Sequence, residues 1–107
     1  MISKELLSEV LKENLTKSIK SLTIRDNNII PCNQGSPIHK PINIHELAHK
    51  CKEWAIKNGY GISVHTSEIS GFIVEINCGF DVTDFHNTSE PEAIFHACQW
   101  ILDNKET

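Results

Sequence analysis

The chain has 107 residues, 39% of them hydrophobic, with a formal charge of −4 and a sequence pI near 5.8. A chain of this length buries one modest core, roughly 60 to 70% of the surface its unfolded form exposes, and leaves no room for a second full domain. The ten basic residues are scattered along an acidic chain, which opposes broad phosphate-driven nucleic-acid binding, a mode that needs clustered Lys and Arg; the acidity suits, at most, a partner with a basic surface.

The opening MISKELLSEVLKENLTK places Ile2, Leu6, Leu7, Val10 and Leu11 at spacings of three and four, with Lys4, Glu5, Ser8, Glu9, Lys12 and Glu13 between them. That is the pattern of an amphipathic helix. It lacks the unbroken apolar stretch of a signal peptide, and nothing later approaches the roughly 18 apolar residues of a membrane span, so a soluble cytoplasmic protein is expected. Residues 18–31 read as a small hairpin, SIKSLTIR and IIP about a polar Asp26-Asn27-Asn28 turn. One helix and two strands form no core alone. Residues 1–32 are therefore expected to pack on the rest of the chain or on a second subunit. Their apolar face, Ile2, Leu6, Val10, Leu11, Leu22 and Ile24, makes a homodimer a natural expectation.

Residues 33–42, NQGSPIHKPI, carry Gly35, Pro37 and Pro41 in one short span and read as a connecting loop. Asn43 is a good N-cap with Glu46 three positions on as its capping-box partner, and Asn58-Gly59 is a usual helix stop, which predicts a helix over 44–57. Its stripe is Ile44, Leu47, Ala48, Cys51, Trp54 and Ala55; His45 and His49 project from the opposite flank. YGISVHT and SGFIVEINC alternate as half-buried strands about a turn near residues 66–71. Residues 79–85, GFDVTDF, allow a third short strand, with Asp81 and Asp84 marking it as an edge.

Ser89-Glu90-Pro91-Glu92 supplies a cap, a first-turn Pro and a capping-box Glu ahead of AIFHACQWILDNK, whose Ile94, Ala97, Cys98 and Ile101 form a stripe widened by Phe95 and Leu102. Residues 43–107 thus read as an α-β-β(-β)-α unit. The fold class expected is α+β, one compact domain with a small antiparallel sheet and helices packed on one face. The same order is that of the double-stranded RNA-binding domain, by analogy of topology alone. Its basic helix start is replaced here by acidic residues 89–92, so direct RNA binding is not expected.

The opening MISKELLSEVL, the middle NIHELAHKCKEWAIKNGY and the close SEPEAIFHACQWILDNK resemble a group of small phage- and prophage-encoded proteins. The resemblance covers most of the chain and is weakest over residues 20–42. It implies an accessory protein acting in a bacterial cytoplasm. It carries over no active site.

Residues 45–49, HELAH, match the H-E-x-x-H pattern in which two histidines one turn apart hold zinc and the Glu serves as general base. A zinc metallopeptidase using His45, Glu46 and His49 is therefore the alternative. Against it, Glu46 lies in the first turn, where capping explains it, and the stretch after His49 is KCKEWA, without the extended motif's Gly and His. Glu53, His65, Glu68, His86 or His96 would have to supply the third ligand in space. His39, His65, His86 and His96 otherwise read as surface histidines, Trp54 and Trp100 as packing residues rather than a base-stacking platform, and Cys32, Cys51, Cys78 and Cys98, with no C-x-x-C pair, as buried thiols. No nucleophile–base pair or phosphate-cradling Gly loop is visible, and no cofactor is expected. The reading is a non-enzymatic protein that binds a host or phage macromolecule. An inhibitor of a bacterial defence system, such as a CRISPR nuclease with a basic channel, is one form of it.

Overall fold

Three helices and two antiparallel sheets follow one another in the computed structural model, which describes residues 1–13, 17–69, 71–79 and 81–105. Ser70 in the expected turn and Phe80 in the expected third strand lie outside the described residues, as do residues 14–16 of the opening segment, the last two residues and the side chains of Cys78 and Asp81. The fold is α+β.

Helix α1 (Lys4–Leu11) starts where Ser3 Oγ accepts the Leu6 amide at 3.1 Å and stops at Lys12, whose φ of 58° is left-handed. A hairpin follows, β1 (Ser21–Arg25) and β2 (Asn28–Asn33), in which Arg25 pairs with Asn28. Asp26 and Asn27 alone form its loop, with φ of 50° and 62°. Positive φ at both central residues is the type I′ turn whose twist matches that of the strands.

Residues 33–42 are not a plain loop. Gln34 and Gly35, both at positive φ, turn the chain back so that β3 (Ser36–Pro37) pairs with β2; β4 (Ile42–Asn43) then pairs with β2 as well. The physical reason is the second edge of β2, which carries buried Ile29, Pro31 and Cys32 and would otherwise leave its backbone unpaired near the core. Pro37 is tolerated because β3 is an edge, and Pro41 lies just ahead of β4. The chain therefore holds two small sheets rather than one.

Helix α2 spans Ile44–Lys57, as its caps predict. Asn43 Oδ1 accepts the amides of His45 (2.9 Å) and Glu46 (3.2 Å). The expected reciprocal capping-box bond from Glu46 is not made: Asn43 is already paired with Asn28 in the sheet, and Glu46 contributes only negative charge to the first turn. Strands β5 (Gly61–Ser67), β6 (Gly71–Cys78) and β7 (Asp81–Asn87) then form a meander with β6 in the centre. The third strand is thus a full partner of β6 over seven residues. Gly71, at φ +82°, has no space for a side chain, since a Cβ would stand 2.9 Å from the Asn87 carbonyl oxygen.

Helix α3 (Glu90–Asn104) is capped by Ser89, whose Oγ accepts the Glu92 amide at 3.5 Å. Here too the expected capping-box Glu is engaged elsewhere, because the Glu92 carboxylate lies 2.7 Å from the Met1 amino group. Helices α2 and α3 pack on each other and on one face of the β5–β7 sheet, and α1 lies against both helices.

One continuous core results, running from Ile2, Leu6 and Leu7 through Ile19, Ile29 and Ile42 to Leu47, Val74, Ile76, Phe95 and Ile101. Residues 1–32 thus pack on the rest of the chain, the first of the two arrangements expected of them. Ile2 and Leu6 are fully covered within the chain, and Val10, Leu11 and Leu22 pack against the same core, so of the anticipated apolar face only Ile24 stays exposed, at 51%. Val10, Leu11 and Leu22 are only partly buried at the margin of that core.

Candidate functional site

The HELAH residues sit where the helical projection puts them. Leu47, Ala48, Cys51, Trp54 and Ala55 are buried, while His45, Glu46 and His49 are exposed on the far side of α2. Together with Lys50 and Glu53 they line an open depression of about 560 Å³. Of the candidate third ligands only Glu53 reaches it, and Glu53 Oε1 already lies 3.3 Å from His49 Nε2 across one helical turn. His65 lies on β5, His86 on β7 and His96 on the exposed side of α3. Among the described residues no group of three or more His, Cys, Asp or Glu is placed to hold a metal ion. Two exposed imidazoles on one helix, with Lys50 among them, fall short of the three protein ligands that a catalytic zinc holds beside its open position.

Cys32, Cys51, Cys98 and the two tryptophans are packing residues. Cys98 Sγ donates to the Cys51 carbonyl oxygen at 3.4 Å across the α2–α3 contact, and the neighbouring thiol together with burial pushes the Cys51 thiol far above its ordinary value. The Cys51 sulfur is therefore not poised as a thiolate nucleophile. Cys32 is likewise a buried free thiol. Trp100 meets Tyr60 and Phe85 edge-on at centroid distances of 6.4 and 6.5 Å. Trp54 is 9% exposed beneath the Lys105 ammonium. Neither ring offers a free stacking platform.

The surface with distinctive chemistry is the face of the β5–β7 sheet that the helices leave uncovered. Strand alternation sends Ile62, Val64, Phe72, Val74, Ile76 and Phe85 into the core. The opposite face is read from the register. One row holds Ser63, Glu75 and Asp84; the next holds His65, Ile73 and His86; a third holds Gly61, Asn77 and Val82. His65 Nε2 lies 3.4 Å from both Glu75 Oε2 and Ser63 Oγ. Glu75 and Asp84 are directly opposite one another on adjacent strands. Like charges in that position destabilise a sheet unless something offsets them.

Among the described residues no lysine or arginine is paired with either carboxylate, and β5, β6 and β7 contain none. The charge is unevenly distributed along the whole chain. Of the ten basic residues only Lys105 lies beyond residue 57, whereas eight of the fourteen acidic residues do. The basic residues are thus scattered, but nine of the ten lie within residues 1–57. That partition is the signal in the sequence that marks the sheet, and the residues missed without it are Glu75 and Asp84.

No protein-family model, curated protein or solved structure matches this chain. What the fold and surface define is a class: a small α+β protein with an acidic, cation-free sheet face. No described helix is long and apolar enough to cross a membrane.

Proposed function

We propose that this chain is a non-enzymatic accessory protein, of phage or prophage type, that acts in the bacterial cytoplasm by binding a basic surface of a host or phage macromolecule. The observation that carries the reading is the open face of the β5–β7 sheet, where Glu75 and Asp84 are held in register with no Lys or Arg on any of the three strands. A rigid sheet fixes the two carboxylates at a defined spacing, and Ile73 and Val82 beside them supply apolar contact once water is displaced. A partner that brings a Lys or Arg between the carboxylates removes the repulsion that the free protein bears.

One specific form is an inhibitor of a bacterial defence nuclease of the CRISPR type. Such an enzyme has a basic nucleic-acid channel, and an acidic protein seated in it excludes the nucleic acid. The chain's own binding of nucleic acid is opposed by the same carboxylates. For the zinc metallopeptidase alternative through His45, Glu46 and His49, no group of three metal-ligating side chains is found among the described residues.

The test is capture from host lysate with the wild-type chain beside Glu75→Lys/Asp84→Lys and His45→Ala/His49→Ala. The proposal expects one stoichiometric partner held by the wild type and by the histidine variant and released by the sheet variant. A partner retained equally by all three contradicts the assignment of the surface, and loss in the histidine variant alone returns attention to α2.

A further inference from the structure

The ends of α1 and α2 frame a second feature that the sheet does not explain. Val10, Leu11 and Trp54 floor a pocket of about 280 Å³, with Lys12, Lys50 and Lys57 at its rim and Glu53 the one acidic residue lining it. None of the three lysines has an ion pair among the described residues. Glu53, moreover, is turned to His49. An apolar floor inside a ring of ammonium groups suits an apolar group carried next to a carboxylate.

The chain itself presents that combination. At the tip of the β5–β6 hairpin, between Ser67 and Gly71, Ile69 is 97% exposed, well above Ile56 and Val82 at 62% and 58%, and Glu68 precedes it. An isoleucine left this bare on a turn contributes nothing to the fold of its own chain. It cannot reach the pocket within one molecule. The pocket lies at the C-terminal end of α2, and β5 leads away from that end for seven residues, about 23 Å at 3.3 Å per residue.

We propose that the pocket is the docking site for the Glu68-Ile69 hairpin tip of a second copy of this chain. Ile69 covers Val10, Leu11 and Trp54, and the Glu68 carboxylate lies among Lys12, Lys50 and Lys57. Because tip and pocket stand at opposite ends of β5, two copies lying antiparallel make both contacts at once and close a two-fold dimer. This contact is separate from the sheet face and stands or falls independently of it. Of the N-terminal helix it uses only the C-terminal end, Val10 and Leu11, which are partly buried, and not Ile2 or Leu6, which the core covers.

Sedimentation velocity at low salt, from about 5 to about 500 μM, tests it, with circular dichroism confirming that each variant is folded. The proposal expects a reversible dimer whose dissociation constant rises at least tenfold in Ile69→Ser and in Lys50→Glu/Lys57→Glu, and whose affinity recovers when the latter is combined with Glu68→Lys. A single-chain mass throughout overturns it, as does a dimer indifferent to these substitutions. Octanoate supplies the small-anion arm: a tryptophan fluorescence change in a protein that stays monomeric assigns the pocket to a free anionic amphiphile and overturns the second-copy reading.

Discussion

Glu75 and Asp84 face each other across the β6–β7 pair, nine positions apart in sequence and directly opposed in register, with His65 close to Glu75 and no cation beside Asp84 among the described residues. Such a pair is retained against its own repulsion. Sites that bind are often built at a cost in stability, and relieving that cost is the usual signature of a functional surface.

Asp84→Asn should therefore stabilise the free protein by about 0.5 kcal/mol, the cross-strand repulsion discounted for solvent screening. Urea unfolding at low salt reads the change. The gain should shrink toward zero at about 1 M salt, where exposed charges are screened. A destabilised variant would mean that Asp84 has a structural partner and the face is not strained.

The N-terminal helix should behave as core rather than appendage. Leu6 is fully buried, and Leu6→Ala should cost about 2 to 5 kcal/mol in a single cooperative transition. A separate early transition confined to residues 1–32, with the remainder unfolding at its original midpoint, would contradict the continuity of the core.

The hairpin turn gives a sharper local test. Asn27 sits at φ 62°, so Asn27→Gly should be neutral or stabilising by up to about 1 kcal/mol, and Asn27→Val destabilising by about 1 to 3 kcal/mol. Thermal melts should leave Asn27→Gly at or above the wild-type midpoint and put Asn27→Val below it.

Alkaline pH should weaken the fold through the α2–α3 contact. The Cys51 thiol is raised in the folded state above its ordinary value of 9.0. Below that value both folded and unfolded states keep the proton and stability is flat with respect to this group. Above it only the unfolded chain releases the proton, so stability falls by roughly 1.4 kcal/mol per pH unit from this group. Cys51→Ala, less stable at neutral pH for want of the sulfur, should show a shallower fall above pH 9. Parallel slopes would contradict the assignment to Cys51.

Glu46→Gln removes the carboxylate a zinc peptidase would need and leaves the Asn43 cap in place. Its cost should be a few tenths of a kcal/mol, from lost charge in the first turn of α2. Elemental analysis should find no stoichiometric zinc, and one zinc per chain together with lost biological effect in this variant would install the peptidase reading instead.

Local chemistry was legible and pairing between distant segments was not. Asn43 and Gly59 bracket α2 to the residue, and Ser89 starts α3, because caps are written within a few positions of the helix they end. The alternation in 60–66 and 71–78 gave β5 and β6 directly. The bridges of β3 and β4 to β2 span two residues each and leave no period to read. What covers Ile2 and Leu6 is likewise set by α2 and α3, far along the chain. HELAH matches a motif by five adjacent letters, although its histidines lie outside the core stripe and meet no third ligand among the described residues. Glu75 and Asp84 match none, because only the strand register makes them neighbours.

The most direct measurement of the central claim is the association rate of the wild-type chain and of Glu75→Lys/Asp84→Lys with the captured partner, followed from about 50 to about 500 mM salt. Charge-guided binding through the sheet face predicts a wild-type rate that falls at least tenfold over that range and a sheet variant that is slow at low salt with little further salt dependence. A rate unchanged by salt, or equal in the two proteins, would contradict the account.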